Sequence, residues 1–364
     1  LLIFFYIFCN VFYQEGHIFT DRYHDWMVHL DIGYNIRSRG LPIMDKVIFH
    51  FGLPTIIAAI SEIFRINIYK ASIIIALISI ILLPLITWHL ISGFKLPNRI
   101  RIFASITPLL WGGLYLPYDI LRLLNDPTAM NLVYIFDPLF NYPPYDVDKA
   151  RLQLSGTLYH NLTQLLSVTL IASFLLTYNA FVIHKKKSLF LVSCLLLGAS
   201  SLVKPSGVII FGPALFITLF INKKEYHNFI PLLITLFIFL IIYFLPNIIS
   251  TPHIAPHDWN FLSSHEWHFL PKRLLDINLL YKILLALGVT IIPLVMILTT
   301  LLLSLLRKES ATHPLWQQIV AISLMGGILF FILFVETTRA ITGNNAWPIS
   351  GALILFSPLT IAYL

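Results

Sequence analysis

Ten apolar runs constrain this chain more than any other feature. They fall at 1–14, 71–91, 102–116, 158–182, 188–203, 206–221, 229–250, 280–306, 315–335 and 348–364. Lipid offers backbone amides no partner, so a crossing segment must satisfy its own hydrogen bonds as a helix, and about 30 Å of hydrocarbon needs roughly 20 apolar residues. Runs this long and numerous exceed what one water-soluble core can bury, as 58% hydrophobic and 11% charged residues and a mean hydropathy of +0.83 also indicate. The expectation is an all-α polytopic membrane protein of about ten transmembrane helices, forming a single transmembrane domain over 1–364. Leu1 is not a methionine and the chain closes inside an apolar run, so truncation at both ends is expected. Residues 1–14 read as the remnant of a first span or an uncleaved signal.

Residues 52–66, "GLPTIIAAISEIFRI", have a different pattern. Leu53, Ile56, Ile57, Ile60, Ile63 and Phe64 form one helical stripe, with Thr55, Glu62 and Arg65 opposite, which predicts an amphipathic helix lying in the interface. Charge distribution supports leaving it out of the span count. With ten spans and 15–70 outside, the loops 92–101, 183–187, 222–228 and 307–314 are inside. They hold Lys95, Arg99, Arg101, Lys185, Lys186, Lys187, Lys223, Lys224, Arg307 and Lys308 against only Glu225 and Glu309. Basic short loops stay in the cytoplasm, so this pattern sets one orientation. The outer segments are then 15–70, 117–157, 251–279 and 336–347, which carry most of the acids, and any chemistry belongs to the non-cytoplasmic face.

A pI near 9.3 does not imply nucleic acid as a partner, because the basic residues form short groups between apolar runs rather than one clustered face. Cys9 and Cys194 lie far apart in apolar stretches and read as buried thiols, with no disulfide framework and no zinc motif.

The first outer segment is the richest in chemistry. Asp25 and His29 are four apart, so on a helix they share a face that Ile32 and Ile36 continue, and Gly40 and Pro42 end that helix. Asp45 follows. An Asp at a helix start also stabilises the helix without any function; as a catalytic carboxylate, Asp21, Asp31 and Asp45 are weaker candidates than Asp25. A divalent metal on Asp25, His29 and another outer histidine is a lesser alternative, the one cofactor these residues suggest.

Elsewhere, "SSLVKPSGV" puts Lys204 and Pro205 between two apolar runs slightly short for a crossing, so Lys204 sits at or below the outer interface. There it either faces a polar cavity or anion, or snorkels to the headgroups from an ordinary turn. "LYHNLTQ" sets His160, Asn161 and Gln164 at the outer start of a span, where they either cap the helix or meet a substrate hydroxyl. Glu336 and Arg339, three apart at the outer end of the ninth span, suggest an ion pair or, for Arg339, a phosphate clamp. "PHDWNFLSSHEWHFLPKR" reads as an interfacial aromatic belt able to stack on sugar, and "FDPLFNYPPYDVDK" as an ordered outer loop.

Asp25-x-x-x-His29-Leu30 after a first span, Arg39-Gly40-x-Pro42, Asp45, and Phe51-Gly52-x-Pro54 before a juxtamembrane helix together resemble the GT-C superfamily. These are polyprenyl-phosphate-sugar-dependent membrane glycosyltransferases, including protein mannosyltransferases and aminoarabinose transferases. The resemblance covers about the first 120 residues in ordered features and extends to the Lys204-Pro205 step. It departs from the oligosaccharyltransferase branch, whose Trp-Trp-Asp type motif is missing, and the sequence holds no large soluble C-terminal domain. The resemblance implies two juxtamembrane helices in the first outer loop and an essential Asp at position 25.

It further implies transfer of a sugar from a polyprenyl-phosphate donor to a hydroxyl of a lipid, glycan or protein acceptor. In that reaction Asp25 is the base and His29 its partner, while Lys204, Arg339, Asp45, His160 and Asn161 contact substrate. Bacterial inner membrane, with the site facing the periplasm or cell exterior, is the expected location. Two other classes fit the composition: a transporter or flippase of a lipid-linked or anionic substrate, and a non-catalytic membrane subunit. Transporters usually show two related halves, and no internal repeat is evident.

Overall fold

A computed structural model describes residues 25–39, 51–110, 162–222, 227–250, 265–267, 295–296, 298–300, 315–336 and 346–363. In chain order the helices are α1 (Asp25–Arg39), α2 (Gly52–Ile63), α3 (Ile68–Leu90), α4 (Asn98–Leu110), α5 (Leu162–His184), α6 (Lys187–Val203), α7 (Pro205–Ile221), α8 (Phe229–Ser250), α9 (Leu315–Leu333) and α10 (Ala346–Tyr363). Helix accounts for nearly all of the described chain. The exception is a three-residue antiparallel pairing of β1 (His265–Trp267) with β2 (Phe334–Glu336).

Among the described residues, two helices are long and apolar enough to cross a membrane, α3 with its 3-10 extension to Gly93 and α5. The other apolar helices, α2 among them, are shorter over the described residues. Those from α3 onward coincide with the apolar runs of the sequence, while 1–14 and most of 280–306 lie outside the described residues. α3 starts sharply because the Asn67 side chain accepts the Lys70 N–H at 2.7 Å, satisfying one of the amides that a helix start leaves open.

The helices pack α3 on α4 and α5, α5 on α6, α6 on α8, α7 on α9 and α9 on α10. Small residues permit close approach: Ser72, Ala76 and Ser79 are buried on α3, and the ring of Phe239 in α8 fills the place a side chain at Gly198 in α6 would take. Buried hydroxyls are absorbed by their own helices. Ser79, Thr87, Thr169, Thr218 and Ser323 each donate to the carbonyl four residues back, at 2.7 to 2.8 Å, which spares them an unmet group in apolar surroundings. On the other side of α3, Ile74, Ile78, Ile81, Leu82 and Leu85 form an exposed apolar stripe, and α8 exposes Leu233, Phe237 and Ile241 likewise.

The two ends of this bundle differ. At one end Asn222 donates to Gln318 at 2.9 Å, Tyr363 donates to Gln317 at 3.3 Å, and the Phe94 ring meets Tyr363 edge-on at 5.1 Å. These residues border the basic loops expected inside, so segments placed on one side from charge alone do meet. The opposite end carries α1, α2 and the break between α6 and α7.

Candidate functional site

α1 is described over Asp25–Arg39, and the helix end read at Gly40 and Pro42 lies outside the described residues. His29, Leu30, Ile32, Gly33 and Ile36 are buried, whereas Asp31, Tyr34, Arg37, Ser38 and Arg39 are exposed. His29 therefore belongs to the covered side of the helix together with Ile32 and Ile36, and only 6% of it is exposed. Asp25 is one turn earlier on the same backbone.

Two glycines set how α1, α2 and α6 meet. A Cβ on Gly33 would stand 3.3 Å from the Pro54 carbonyl oxygen and 3.6 Å from Ile57 Cγ2, so α1 crosses α2 at near backbone distance. A Cβ on Gly52 would stand 2.7 Å from both the carbonyl carbon and oxygen of Leu202, so the first residue of α2 rests on the α6 backbone two residues before Lys204. Ile32, Ile36, Phe51 and Ala58 form a small apolar cluster against which Leu202 packs, and this cluster joins α1 to the end of α6.

Lys204 lies between α6 and α7 in extended conformation, with φ −156° and ψ 109°. Its N–H donates to the Ser200 carbonyl at 3.0 Å, ending α6, and Pro205 follows as the first residue of α7, a position where a missing N–H costs nothing. The lysine is 3% exposed. A lysine that snorkels keeps its ammonium at the protein surface, so burial disfavours that reading.

The α2 stripe departs from its sequence expectation. Leu53, Pro54, Ile57, Ala58 and Ser61 are buried and Ile56 and Ile60 partly so, but Ile63 is 73% and Phe64 65% exposed. The helix ends at Ile63, so Phe64 no longer follows the helical face, and α1 covers the side that includes Ser61. There Arg37 donates to Ser61 Oγ at 2.7 Å, to Glu62 at 2.9 Å and to the Ile66 carbonyl at 3.1 Å.

Gln164, read as part of a helix-start group, is buried near the start of α5, with its Nε2 3.1 Å from where a Cβ of Gly351 in α10 would lie. Glu336 stands in β2 opposite His265 rather than on a helix, so helical spacing to Arg339 does not govern it. That pairing brings together two of the four expected outer segments, 251–279 and 336–347. Sequence alternation did not reveal it because three residues are too few to show a period.

The side chain of Asp25, together with Asp21, Asp45, His160, Asn161 and Arg339, lies outside the described residues. Among the described residues no group of three or more His, Cys, Asp or Glu converges in a manner that would hold a metal ion. Sequence reasoning missed Gly33 entirely and used Gly52 only as part of a motif. The signal available for both was a residue without a side chain at a helix crossing. No family model, characterised protein or solved structure matches this chain.

Proposed function

We propose that this protein is an integral membrane glycosyltransferase of the GT-C type, with about ten spans and its site on the non-cytoplasmic face. It transfers a sugar from a polyprenyl-phosphate donor to an acceptor hydroxyl with inversion. The observation that carries this reading is the seating of Gly52 on Leu202, which packs the first loop, with His29 buried in it, beside the buried Lys204 break. A lysine in an apolar bundle is costly, and such residues mark paths for charged groups. Exposed apolar stripes on α3 and α8 further favour a lipid surround, since soluble monomers rarely show contiguous patches of this kind.

In the proposed reaction the acceptor hydroxyl gives its proton to the Asp25 carboxylate as its oxygen attacks the anomeric carbon. The bond from that carbon to the phosphate oxygen breaks, and the electron pair leaves on polyprenyl phosphate. His29 orients the base, and Lys204 with Arg339 neutralises the departing phosphate. A single carboxylate acting opposite the leaving group gives inversion. Asp45, His160 and Asn161 remain candidate sugar contacts.

The Lys204 role is tested by steady-state transfer in detergent with Lys204→Gln. A clamp that already binds the donor ground state raises the donor KM by roughly tenfold or more for one charge-assisted contact, while thermal stability stays close to wild type. An unchanged donor KM removes Lys204 from the site. Movement of the donor across the membrane without any change in its covalent partner would select the transporter reading instead.

A further inference from the structure

The tip where α1, α2 and α3 meet carries charges that the proposed reaction does not use. Ile63 and Phe64 are exposed at the end of α2, and Arg39, Arg65 and Lys70 around them are exposed too. None of these three cations makes a side-chain hydrogen bond or ion pair among the described residues, where the ion pair is Arg37 with Glu62. Arg65 has φ 51°, a left-handed conformation that a non-glycine residue adopts at some cost. Its backbone N–H donates to Glu62 O at 3.2 Å, and Ile66 N–H donates to Ser61 O at 3.0 Å, so a tight turn holds the tip open. Arg37 fastens the same turn through the Ile66 carbonyl and Ser61. Three residues after Arg65 the chain enters α3, which is long and apolar enough to cross a membrane.

We propose that this tip docks on anionic phospholipid headgroups of the non-cytoplasmic leaflet, with Ile63 and Phe64 inserted beneath them and Arg39, Arg65 and Lys70 on their phosphates. Several features select this occupant. The apolar pair is bracketed by cations that have no ion-pair partner among the described residues, which is the composition of an interfacial anchor. Its depth is fixed by the start of α3. Over 15–70 the six Lys and Arg are balanced by six Asp and Glu, so the positive charge belongs to the tip and not to the outer segment as a whole. The turn that caps α2 leaves two large apolar side chains on display, and a lipid surface covers them where water does not. The proposal rests on the membrane placement and orientation stated above, but not on the transfer reaction.

The test is amide hydrogen exchange over 60–72 in the full chain reconstituted into nanodiscs. The lipid is phosphatidylcholine alone or with about one third phosphatidylglycerol, which sets a negative surface. Wild type should exchange roughly tenfold more slowly in the anionic discs, and the gain should shrink at about 1 M salt, where screening acts within about 3 Å. R39Q/R65Q/K70Q should lose the anionic increment while keeping exchange within α3 unchanged, and F64S should weaken protection in both lipids. Equal exchange of wild type in the two lipids, or an increment that survives in the triple variant, overturns the headgroup contact alone. Failure of the chain to incorporate into discs overturns the membrane placement together with it.

Discussion

Lys204 and the two crossing glycines carry the residue-scale account. The cost of a side chain at Gly52 differs from that at Gly33 because the clearance differs, the nearest atom being backbone in both cases. At Gly52 the obstacle is Leu202 backbone at 2.7 Å, which cannot rotate away, whereas at Gly33 a 3.3 Å approach to Pro54 O needs only a small shift. Alanine also gains about 1 kcal/mol over glycine inside a helix, which offsets the strain at Gly33. Gly52→Ala is therefore expected to destabilise by about 1–3 kcal/mol through overpacking, and to lower activity by displacing α2 from the Lys204 break. Gly33→Ala should stay within about 1 kcal/mol of wild type. Thermal melts of both variants in detergent check this, and equal losses would mean that the Leu202 contact does not set the approach. The sequence made Lys204 legible as a charge between two short apolar runs. It left Gly33 silent, because a lone glycine in a helix records only what it lacks, and its partner Pro54 is remote from it in the chain.

At the scale of elements, α1 and α2 pack side by side running the same way, Gly33 against Pro54 and Ile57 and, one turn on, Arg37 against Ser61 and Glu62. The Arg37 to Glu62 ion pair is largely exposed, with Glu62 71% exposed, so that pair alone adds little. The bonds to Ser61 and to the Ile66 carbonyl matter more, since both acceptors lie at the turn into α3. Glu62→Gln should cost no more than about 0.5 kcal/mol. Arg37→Ala should cost roughly 1–2 kcal/mol and loosen the turn. Hydrogen exchange at 61–66 distinguishes them: rapid exchange in Arg37→Ala with near wild-type protection in Glu62→Gln is expected, and the reverse order would place the strength in the ion pair. The stripe 53-56-57-60 was legible from helical spacing. Its outer end was not, because the helix stops at Ile63 and the residues beyond it answer to the turn. The β1 and β2 pairing was equally hidden, since it joins segments nearly seventy positions apart in the chain over only three residues each.

For the molecule as a whole, charge and hydropathy anticipated which segments lie together. Phe94 meets Tyr363 and Asn222 meets Gln318 at the end bordered by basic loops, while α1, α2 and Lys204 gather at the other. Hydropathy reads this well because lipid demands helices and helices must alternate direction when their links are short. It says nothing of the substrate, and the motifs that bear on chemistry occupy only the first outer loop and one lysine. The central claim is therefore that a carboxylate in that loop deprotonates a sugar acceptor next to a bound lipid phosphate. Its most direct measurement is transfer of radiolabelled sugar from polyprenyl-phosphate donors by membranes holding wild type or Asp25→Asn at matched expression. The account predicts transfer by wild type and a loss of about 10²-fold or more in the variant, the scale of a general base. Equal transfer by the two proteins, or none by wild type with any donor, would contradict it.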